Sequence, residues 1–225
     1  MVSRLSIIVP VLDEAGRIGA SLDALAPLRA RGHELIVADG GSCDSTLVLS
    51  HGRADIVIEA PCGRARQMNA GAARAHGSVL LFLHADTALP AGADAAIARA
   101  LAGGAQWGRF DVTIEGRSRL FPLIAALMNR RSRWSGIATG DQAMFVERAL
   151  FERLGGFADQ PLMEDIELSR RLRAIGPPAC LRERVLTSGR RWEQHGVWRT
   201  ILLMWRLRWR YWRGAPPELL AKAYQ

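Results

Sequence analysis

Lysine is almost absent from this 225-residue chain, in which Lys222 is the only lysine among thirty basic residues. The net charge of +8 is therefore due to arginine, and the arginines are concentrated between residues 170 and 213. No helix-turn-helix, zinc-finger or RNA-binding signature accompanies them, so we do not expect a nucleic-acid partner. The charge instead suits phosphate-bearing ligands or an anionic membrane, and an arginine-rich gene composition would also explain it.

Cysteine is scarce too, with three residues and no CxxC pair: Cys43, Cys62 and Cys180. This pattern predicts neither a disulfide framework nor a zinc site. An export signal is not evident either, because the apolar run at 5–12 is short, is broken by Pro10 and is followed by two acidic residues. We therefore expect a protein of the reducing cytoplasm.

Short apolar runs alternate with helix-like segments through the first half of the chain. Runs typical of strands buried on both faces occur at 5–12, 34–38, 54–58 and 78–83. Apolar residues recur at helical spacing at 14–28, 45–51, 64–75 and 91–101. Strands that alternate with helices require crossover connections, so the sequence predicts an α/β fold with a mainly parallel sheet flanked by helices.

The regularity changes after Gly104, where a mixed arrangement is expected. The predicted elements are strands near 109–114 and 142–146 and helices near 120–129 and 165–175. A chain of this length suits one domain with a short appendage. The predicted division is a domain at 1–195, with halves 1–104 and 105–195, and a tail at 196–225.

Acidic residues follow three of the apolar runs. Asp13 and Glu14 follow the first run, Asp39 follows the second and Asp86 comes shortly after the fourth. Ligands of open α/β sheets bind beyond the carboxyl ends of the strands, where these side chains would meet. Clustered negative charge needs a compensating cation or hydrogen-bond donors, so the pattern predicts a divalent metal with a nucleotide. Each residue alone could equally cap a turn or a helix.

Several segments lie in the order and approximate spacing of a known family. They are Ile8-Val-Pro-Val-Leu-Asp-Glu14, Val37-Ala-Asp-Gly-Gly-Ser42, Leu83-His-Ala-Asp86 and Met163-Glu-Asp165. Over residues 4 to about 195 the chain resembles the family 2 glycosyltransferases. Its Gly63-Arg-Ala-Arg-Gln-Met-Asn-Ala-Gly71, His-Ala-Asp and Thr139-Gly-Asp-Gln142 segments are similar to those of a bacterial subgroup.

This resemblance implies a Rossmann-like GT-A fold and an enzyme that transfers a sugar from a nucleotide diphosphate to an acceptor hydroxyl with inversion. Residues 1–104 would form the nucleotide-sugar-binding half and residues 105–195 the acceptor-side half. Pro10, Asp13 and Glu14 would line the nucleoside pocket. Asp39, together with Gly40, would contact the base or ribose, and family habit then favours a UDP-sugar donor.

The resemblance also implies a metal site at Asp86. This residue matches the last acid of the family's DxD motif, which holds Mn²⁺ or Mg²⁺ against the diphosphate, and hard cations suit carboxylate and phosphate oxygens. The chain departs from the motif at its first acid, which is His84. His84 could bind ribose, ligate the metal or simply bond to neighbouring backbone, so Asp86 is the predicted ligand.

Positive groups would stabilise the leaving diphosphate. Of the two arginines after Gly63, Arg66 matches the more constant position of the family pattern and is preferred to Arg64, although both could be solvated residues of a first helical turn. Arg190, Arg191 and Trp192 resemble a degenerate form of an RxRW element that closes over diphosphate, but such a triplet also occurs on ordinary surfaces.

The predicted general base is Asp165, the role that the resemblance gives to this position. Asp165 precedes Leu168 by three residues and shares its helix face, whereas Glu164 is rotated by about 100° from it. The helix N-terminus would keep the base ionised. The segment formed by Gly140, Asp141 and Gln142 is expected to shape the donor-sugar or acceptor site.

Two other functions are considered. A sugar-nucleotide pyrophosphorylase would need a glycine-rich, lysine-containing loop after the first strand, which this chain lacks. A non-catalytic, membrane-associated scaffold would explain His84 and the basic tail. The joint presence of Asp39, Asp86 and Asp165 favours the enzyme.

The tail contains two stripes at helical spacing over 197–213. One consists of Trp198, Trp205, Trp209 and Trp212, and the other of Arg199, Arg206, Arg210 and Arg213. Adjacent indole and guanidinium faces predict an amphipathic helix on the inner face of the cell membrane, where a lipid-linked acceptor would be accessible. The alternative is that the tryptophans pack on the catalytic domain or on a second copy in a homodimer.

Overall fold

The computed structural model describes residues 4–224, which form a mixed sheet flanked by helices. Residues 1–3, at the start of the predicted domain, and residue 225, the last of the predicted tail, lie outside the described residues. The strands are β1 (Leu5–Val11), β2 (Glu34–Asp39), β3 (Ile56–Glu59), β4 (Val79–Phe82), β5 (Thr87–Ala88), β6 (Trp107–Glu115), β7 (Phe145–Glu147) and β8 (Ala179–Ser188). The helices are α1 (Ala15–Ala30), α2 (Thr46–Ser50), α3 (Arg64–Ala73), α4 (Ala93–Ala102), α5 (Phe121–Ser135), α6 (Arg148–Arg153), α7 (Glu164–Ile175), α8 (Arg190–His195), α9 (Val197–Trp212) and α10 (Pro217–Tyr224).

The sheet has the strand order β3-β2-β1-β4-β7-β6-β8-β5. β1 to β4 are mutually parallel wherever they pair, as the alternation of strands and helices predicts. β7 is antiparallel to both β4 and β6, and β6 is parallel to β8. The second half is therefore mixed, as expected, and the carboxyl ends of β1, β2 and β4 lie at one edge.

Apolar side chains on the two faces of the sheet explain the continuous apolar runs. Leu5, Ile7 and Val9 of β1 pack toward α1, α4 and α5, whereas Ile8 packs toward α3, α6 and α7. Both groups are fully buried. A strand covered on both faces excludes polar positions, which produces the unbroken pattern read from the sequence.

Several elements differ from the sequence prediction. The strand expected at 142–146 is β7, which begins at Phe145, because Gly140–Gln142 forms a 3₁₀ turn before it. β8 is not predicted at all. It alternates exposed arginines with buried residues such as Val185, and this half-exposed pattern lacks a continuous apolar run.

The tail folds back onto the rest of the molecule. α9 ends at Trp212, close to the expected position, but α10 follows it and was not predicted. Leu207 of α9 and Leu220 of α10 pack with Leu162 and Met163 in a third apolar cluster. Within residues 4–224 we find no helix of the length and apolarity that crossing a bilayer requires.

Candidate active site

Two cavities meet at the carboxyl edge of β1 and β4. The outer cavity has a volume of about 460 Å³ and includes Pro10, Glu14 and Gln67 in its lining. The inner cavity has a volume of about 190 Å³ and contains the start of α7 and residues of the tail. Both are lined by the same three residues at their junction: Arg64, His84 and Asp86. The arrangement can hold an elongated ligand across the junction.

The wall of the outer cavity is fixed by Gln67, which the sequence analysis did not single out. Its side-chain amide donates to the carbonyl oxygens of Val11, at 2.7 Å, and Ala38, at 2.9 Å. These bonds join the ends of β1 and β2. Gly40 lies against the same amide, and a Cβ atom there would approach it to 3.0 Å. Gly40 therefore shapes this wall through the space it leaves for Gln67.

Asp13 and Asp39 hold a loop beside the outer cavity and are not among its lining residues. Asp39 is fully buried, and its carboxylate accepts the N–H groups of Gly41 and Ser42 and the Ser42 hydroxyl. Asp13 accepts the Cys43 N–H at 2.8 Å and has a positive φ of 52°. The structure thus gives both carboxylates loop partners, and their direct contact with a nucleotide stays a prediction.

The structure brings Arg64, and not Arg66, to the junction. Arg66 points elsewhere and pairs with Asp159 at 2.7 Å. Arg64 lines both cavities. Desolvation lowers the pKa of Arg64, but the charges of Glu164, Asp165 and Asp86 raise it by more, so the guanidinium remains ionised. Arg66, the arginine preferred from the sequence, does not line either cavity, and its contact with the nucleotide stays a prediction.

His84 is held tightly at the junction. Its imidazole lies against Gly140, where an added Cβ atom would come within 2.6 Å of the ring. Desolvation, followed by the charge of Arg64, lowers the pKa of His84 to about 3. The ring is therefore neutral at physiological pH and retains a lone pair that can accept a hydrogen bond or bind a metal.

Asp86 is the carboxylate beside His84 at the junction. Its backbone carbonyl accepts the Ser188 N–H at 3.2 Å, and the Thr87 hydroxyl donates to its carboxylate at 3.3 Å. Across the described part of the chain, no three His, Cys, Asp or Glu side chains gather into a metal-binding group. One carboxylate with a neutral imidazole nevertheless suits Mn²⁺ or Mg²⁺ if substrate oxygens complete the coordination.

Glu164 and Asp165 begin α7 inside the inner cavity. Asp165 accepts the N–H groups of Gly140 and Ile166, each at 2.7 Å. Desolvation raises the pKa of Asp165, whereas these two N–H donors lower it and favour the ionised form. This geometry provides a carboxylate fixed by backbone and open to the cavity.

Glu164 also reaches the inner cavity and is only 6% exposed. Burial, followed by the charge of Asp165, raises the pKa of Glu164 to about 7, and Arg64 opposes this shift. Helical geometry alone places the Glu164 side chain about 100° from that of Asp165. The cavity, however, surrounds the first turn of α7, so adjacent residues on different faces both contact it.

The 3₁₀ turn forms the opposite wall of the inner cavity. Gly140 and Asp141 line it, whereas the side chain of Gln142 is fully buried behind them and accepts the Thr139 N–H at 3.2 Å. The Thr139 hydroxyl donates to Asp141 at 2.5 Å. Two of the three predicted residues thus face the cavity and the third supports the turn.

Of the triplet at the start of α8, Arg191 and Trp192 line the inner cavity and Arg190 does not. Arg191 donates to the carbonyl oxygen of Tyr224 at 2.6 Å and lies 3.7 Å from the centre of its ring. Tyr224 and Arg208, both from the tail, line the same cavity. The tail therefore contributes to the site, which the sequence analysis missed because these residues have no local signature.

Solved structures with the same fold bind nucleotide sugars. The mannosyltransferase PcManGT from Pyrobaculum calidifontis, in complex with GDP-Man and Mn²⁺, has a TM-score of 0.64 and 21% identity over 83% of this chain and 57% of its own. S. aureus TarS 1-349 in complex with UDP-GlcNAc has a TM-score of 0.65 and 16% identity over 82% of this chain and 58% of its own. These similarities confirm the predicted GT-A fold.

A curated relative and a family model extend the comparison to sequence. The PGL/p-HBAD biosynthesis glycosyltransferase of Mycobacterium tuberculosis is 37% identical over 91 residues, a match that spans 37% of this chain and 36% of the relative. The model described as Glycosyl transferase family 2 matches residues 6–153. Because that match covers more than half of the chain, the protein belongs to glycosyl transferase family 2.

Proposed function

We propose that this protein is an inverting glycosyltransferase that uses a nucleotide-diphosphate sugar as donor and a hydroxyl group as acceptor. The observation that supports this most directly is the pair of cavities joined at Arg64, His84 and Asp86, with Asp165 in the inner one. In this assignment the nucleoside occupies the outer cavity and the diphosphate lies at the junction. The sugar and the acceptor then share the inner cavity.

The donor is proposed to be a UDP-sugar bound with Mn²⁺ or Mg²⁺. Arg64 would pair with diphosphate oxygens, and Asp86, with His84 beside it, would hold the cation. The cation, when bound, supplies positive charge to the departing diphosphate. The two structural neighbours are in complex with a GDP-sugar and a UDP-sugar, so this fold accepts more than one base.

Asp165 is the proposed general base. The acceptor oxygen attacks the anomeric carbon while the bond from that carbon to the β-phosphate oxygen breaks, and the nucleoside diphosphate departs with the electron pair. The proton of the hydroxyl passes to Asp165, whose carboxylate is positioned by the Gly140 and Ile166 N–H groups. A single displacement of this kind inverts the anomeric configuration.

Glu164 would share the charge of the pair with Asp165. Two N–H donors favour ionised Asp165, whereas burial and the neighbouring charge favour protonated Glu164 near neutral pH. In such a coupled pair the first negative charge belongs on the partner that receives more hydrogen bonds, here Asp165. A protonated Glu164 avoids a second buried charge beside the base.

We also propose that the protein acts in the cytoplasm on the inner face of the membrane. The tryptophans of α9 are 56–83% exposed, whereas the buried residues of α9 are Thr200 and Leu207. Exposed indoles beside arginines suit a membrane interface. A homodimer that covers the same face is the remaining alternative.

Isothermal titration with UDP, in the presence and absence of Mn²⁺, tests the proposal against a scaffold. We expect saturable binding that Mn²⁺ strengthens, together with slow hydrolysis of one class among UDP-, GDP- and TDP-sugars. A folded protein that binds no UDP with or without Mn²⁺ and hydrolyses none of the donors would support the scaffold instead.

A further inference from the structure

A third cavity, of about 550 Å³, lies between α5 and α9 and opens toward the active site. We call it the α5–α9 groove. It shares Asp141, Arg191, Trp192 and Arg208 with the inner cavity. Most of the rest of its lining is apolar and comes from both helices: Ile124, Leu127 and Met128 of α5 and Ile201 and Trp205 of α9, with Met204 lining both cavities.

The outer rim of the groove consists of apolar side chains that remain in contact with water. Leu127 on α5 is 55% exposed, and Trp205 on α9 is 67% exposed. Trp205 belongs to the same exposed tryptophan face that continues to Trp209 and Trp212. Through the inner cavity, the groove thus connects an exposed apolar surface with the proposed catalytic carboxylate. An acceptor with an apolar chain could use this connection, whereas a freely soluble sugar acceptor would not need it.

The inner end of the groove holds two arginines with unsatisfied donors. The Nε and Nη2 atoms of Arg131 and the Nε atom of Arg208 are buried and have no hydrogen-bond partner among residues 4–224. Nearby arginines are satisfied, because Arg109 and Arg133 both pair with Asp111. Buried unpartnered guanidinium groups are costly and indicate a missing anion.

Arg131 remains positively charged in this setting. Burial, and next the charge of Arg208, lower the pKa of Arg131 to about 10, while Asp141 and Asp165 act in the opposite direction. Arg131 is therefore a cation at neutral pH. An anionic group on the ligand would complete the hydrogen bonds of both arginines beside the carboxylates that face the acceptor.

We propose that the α5–α9 groove binds the acceptor and that this acceptor is a phosphate-bearing lipid with a long hydrocarbon chain. The inference rests on the proposed function and adds the acceptor class to it. The phosphate contacts Arg131 and Arg208, the chain lies between α5 and α9, and the hydroxyl that receives the sugar faces Asp165. The charge complementarity at the inner end and the apolar rim together select this occupant.

Dodecyl phosphate is a suitable probe because it combines an anion with a single chain. Binding below the micelle concentration is measured by isothermal titration, with quenching of tryptophan fluorescence as a second readout. Inorganic phosphate and dodecyl trimethylammonium are the comparison ligands. We expect each of these to bind at least about tenfold more weakly than dodecyl phosphate, because each lacks one half of the recognition.

Two matched pairs of variants test the two halves of the groove. For the anion, Arg131→Gln is compared with Arg130→Gln, whose side chain is exposed on the same helix. For the chain, Leu127→Asp is compared with Leu123→Asp, which is 58% exposed but outside the groove lining. We expect Arg131→Gln and Leu127→Asp to weaken dodecyl phosphate binding about tenfold or more, and both controls to leave it unchanged.

Each contrary result has a definite meaning. Equal binding of inorganic phosphate would indicate a soluble anionic acceptor, and equal binding of dodecyl trimethylammonium would indicate nonspecific apolar contact; either overturns the inference. Unchanged binding in both test variants overturns it as well. UDP binding is measured in the same samples. If wild-type protein does not bind UDP, the proposed function is refuted. If it binds UDP but not dodecyl phosphate, only the lipid acceptor is refuted.

Discussion

Replacing Arg64 with glutamine is expected to remove the main positive side chain at the junction of the two cavities. Arg64 lines both cavities and lies in the field of Glu164, Asp165 and Asp86. Glutamine retains hydrogen-bonding capacity but is shorter than arginine and carries no charge. The variant therefore removes both the charge and the reach of the guanidinium at the diphosphate position.

The size of the effect follows from the bonds lost. Hydrogen bonds that involve a charged group contribute about 1.5–3 kcal/mol each. At about 1.4 kcal/mol per decade of affinity, losing one such bond weakens UDP binding about 10- to 150-fold. Loss of the Arg64 charge also removes an interaction that lowers the pKa of Glu164, so that pKa should rise further in the variant.

Arg66→Gln is the matched control, two residues along the same helix. Arg66 pairs with Asp159, and both side chains are more than half exposed. Surface pairs of this type contribute little, so UDP affinity should stay within about twofold of wild type. Isothermal titration of both variants with UDP and Mn²⁺ decides the matter. Weak binding by Arg66→Gln together with normal binding by Arg64→Gln would refute the assignment of the junction.

Four further substitutions test other parts of the site. Asp165→Asn should preserve UDP affinity but lower turnover by about 10²-fold or more, and full activity would remove Asp165 from the mechanism. Glu164→Gln should leave the acidic limb of the pH–rate profile in place, because Glu164 is still protonated when Asp165 ionises and adds no charge beside it; a limb that moves to lower pH would contradict a protonated Glu164. Asp86→Ala should abolish metal-dependent UDP binding while His84→Ala only weakens it, and wild-type activity unaffected by EDTA would exclude both metal roles.

The membrane contact is tested by sedimentation with anionic vesicles. Joint replacement of Trp209 and Trp212 by serine should reduce the fraction that pellets, since both side chains are exposed on the face opposite to Leu207. Equal sedimentation of variant and wild type, or concentration-dependent dimerisation that depends on these tryptophans, would favour a protein partner for this face.

The parallel half of the fold could be predicted because burial on both faces leaves a clear pattern. β1 and β2 contain almost continuous buried apolar residues, and the sequence located both within one or two residues. β8 could not be recognised in the same way. Its arginines face solvent while Val185 and Thr187 face the core, and its pairing with β6 joins segments far apart in sequence.

Which of Arg64 and Arg66 faces the cavities depends on their angular positions around α3, and the sequence contains this information. Residues two apart on a helix are separated by about 200°, so the two side chains point in nearly opposite directions. Arg64 precedes the buried Gln67 and Met68 by three and four residues and therefore shares their face. Family position favoured Arg66, whereas the burial pattern of the helix favours Arg64.

The contribution of the tail to the site could not be predicted from local pattern. Arg208 is one of many arginines in α9, and only the packing of Leu207 on Leu162 and Met163 orients it toward the inner cavity. Tyr224 reaches the same cavity through α10 and its contact with Arg191. Such placements depend on tertiary contacts between distant segments rather than on spacing.

The most direct measurement of the central proposal is the anomeric form of the first product. Purified protein is incubated with α-linked UDP- and GDP-sugars and Mn²⁺, and the sugar released by transfer to water is followed by proton NMR before it mutarotates. We expect the β-anomer to appear first with wild-type protein and Asp165→Asn to release it about 10²-fold more slowly. Initial release of the α-anomer, or equal rates for the two proteins, would contradict inversion by a base at Asp165.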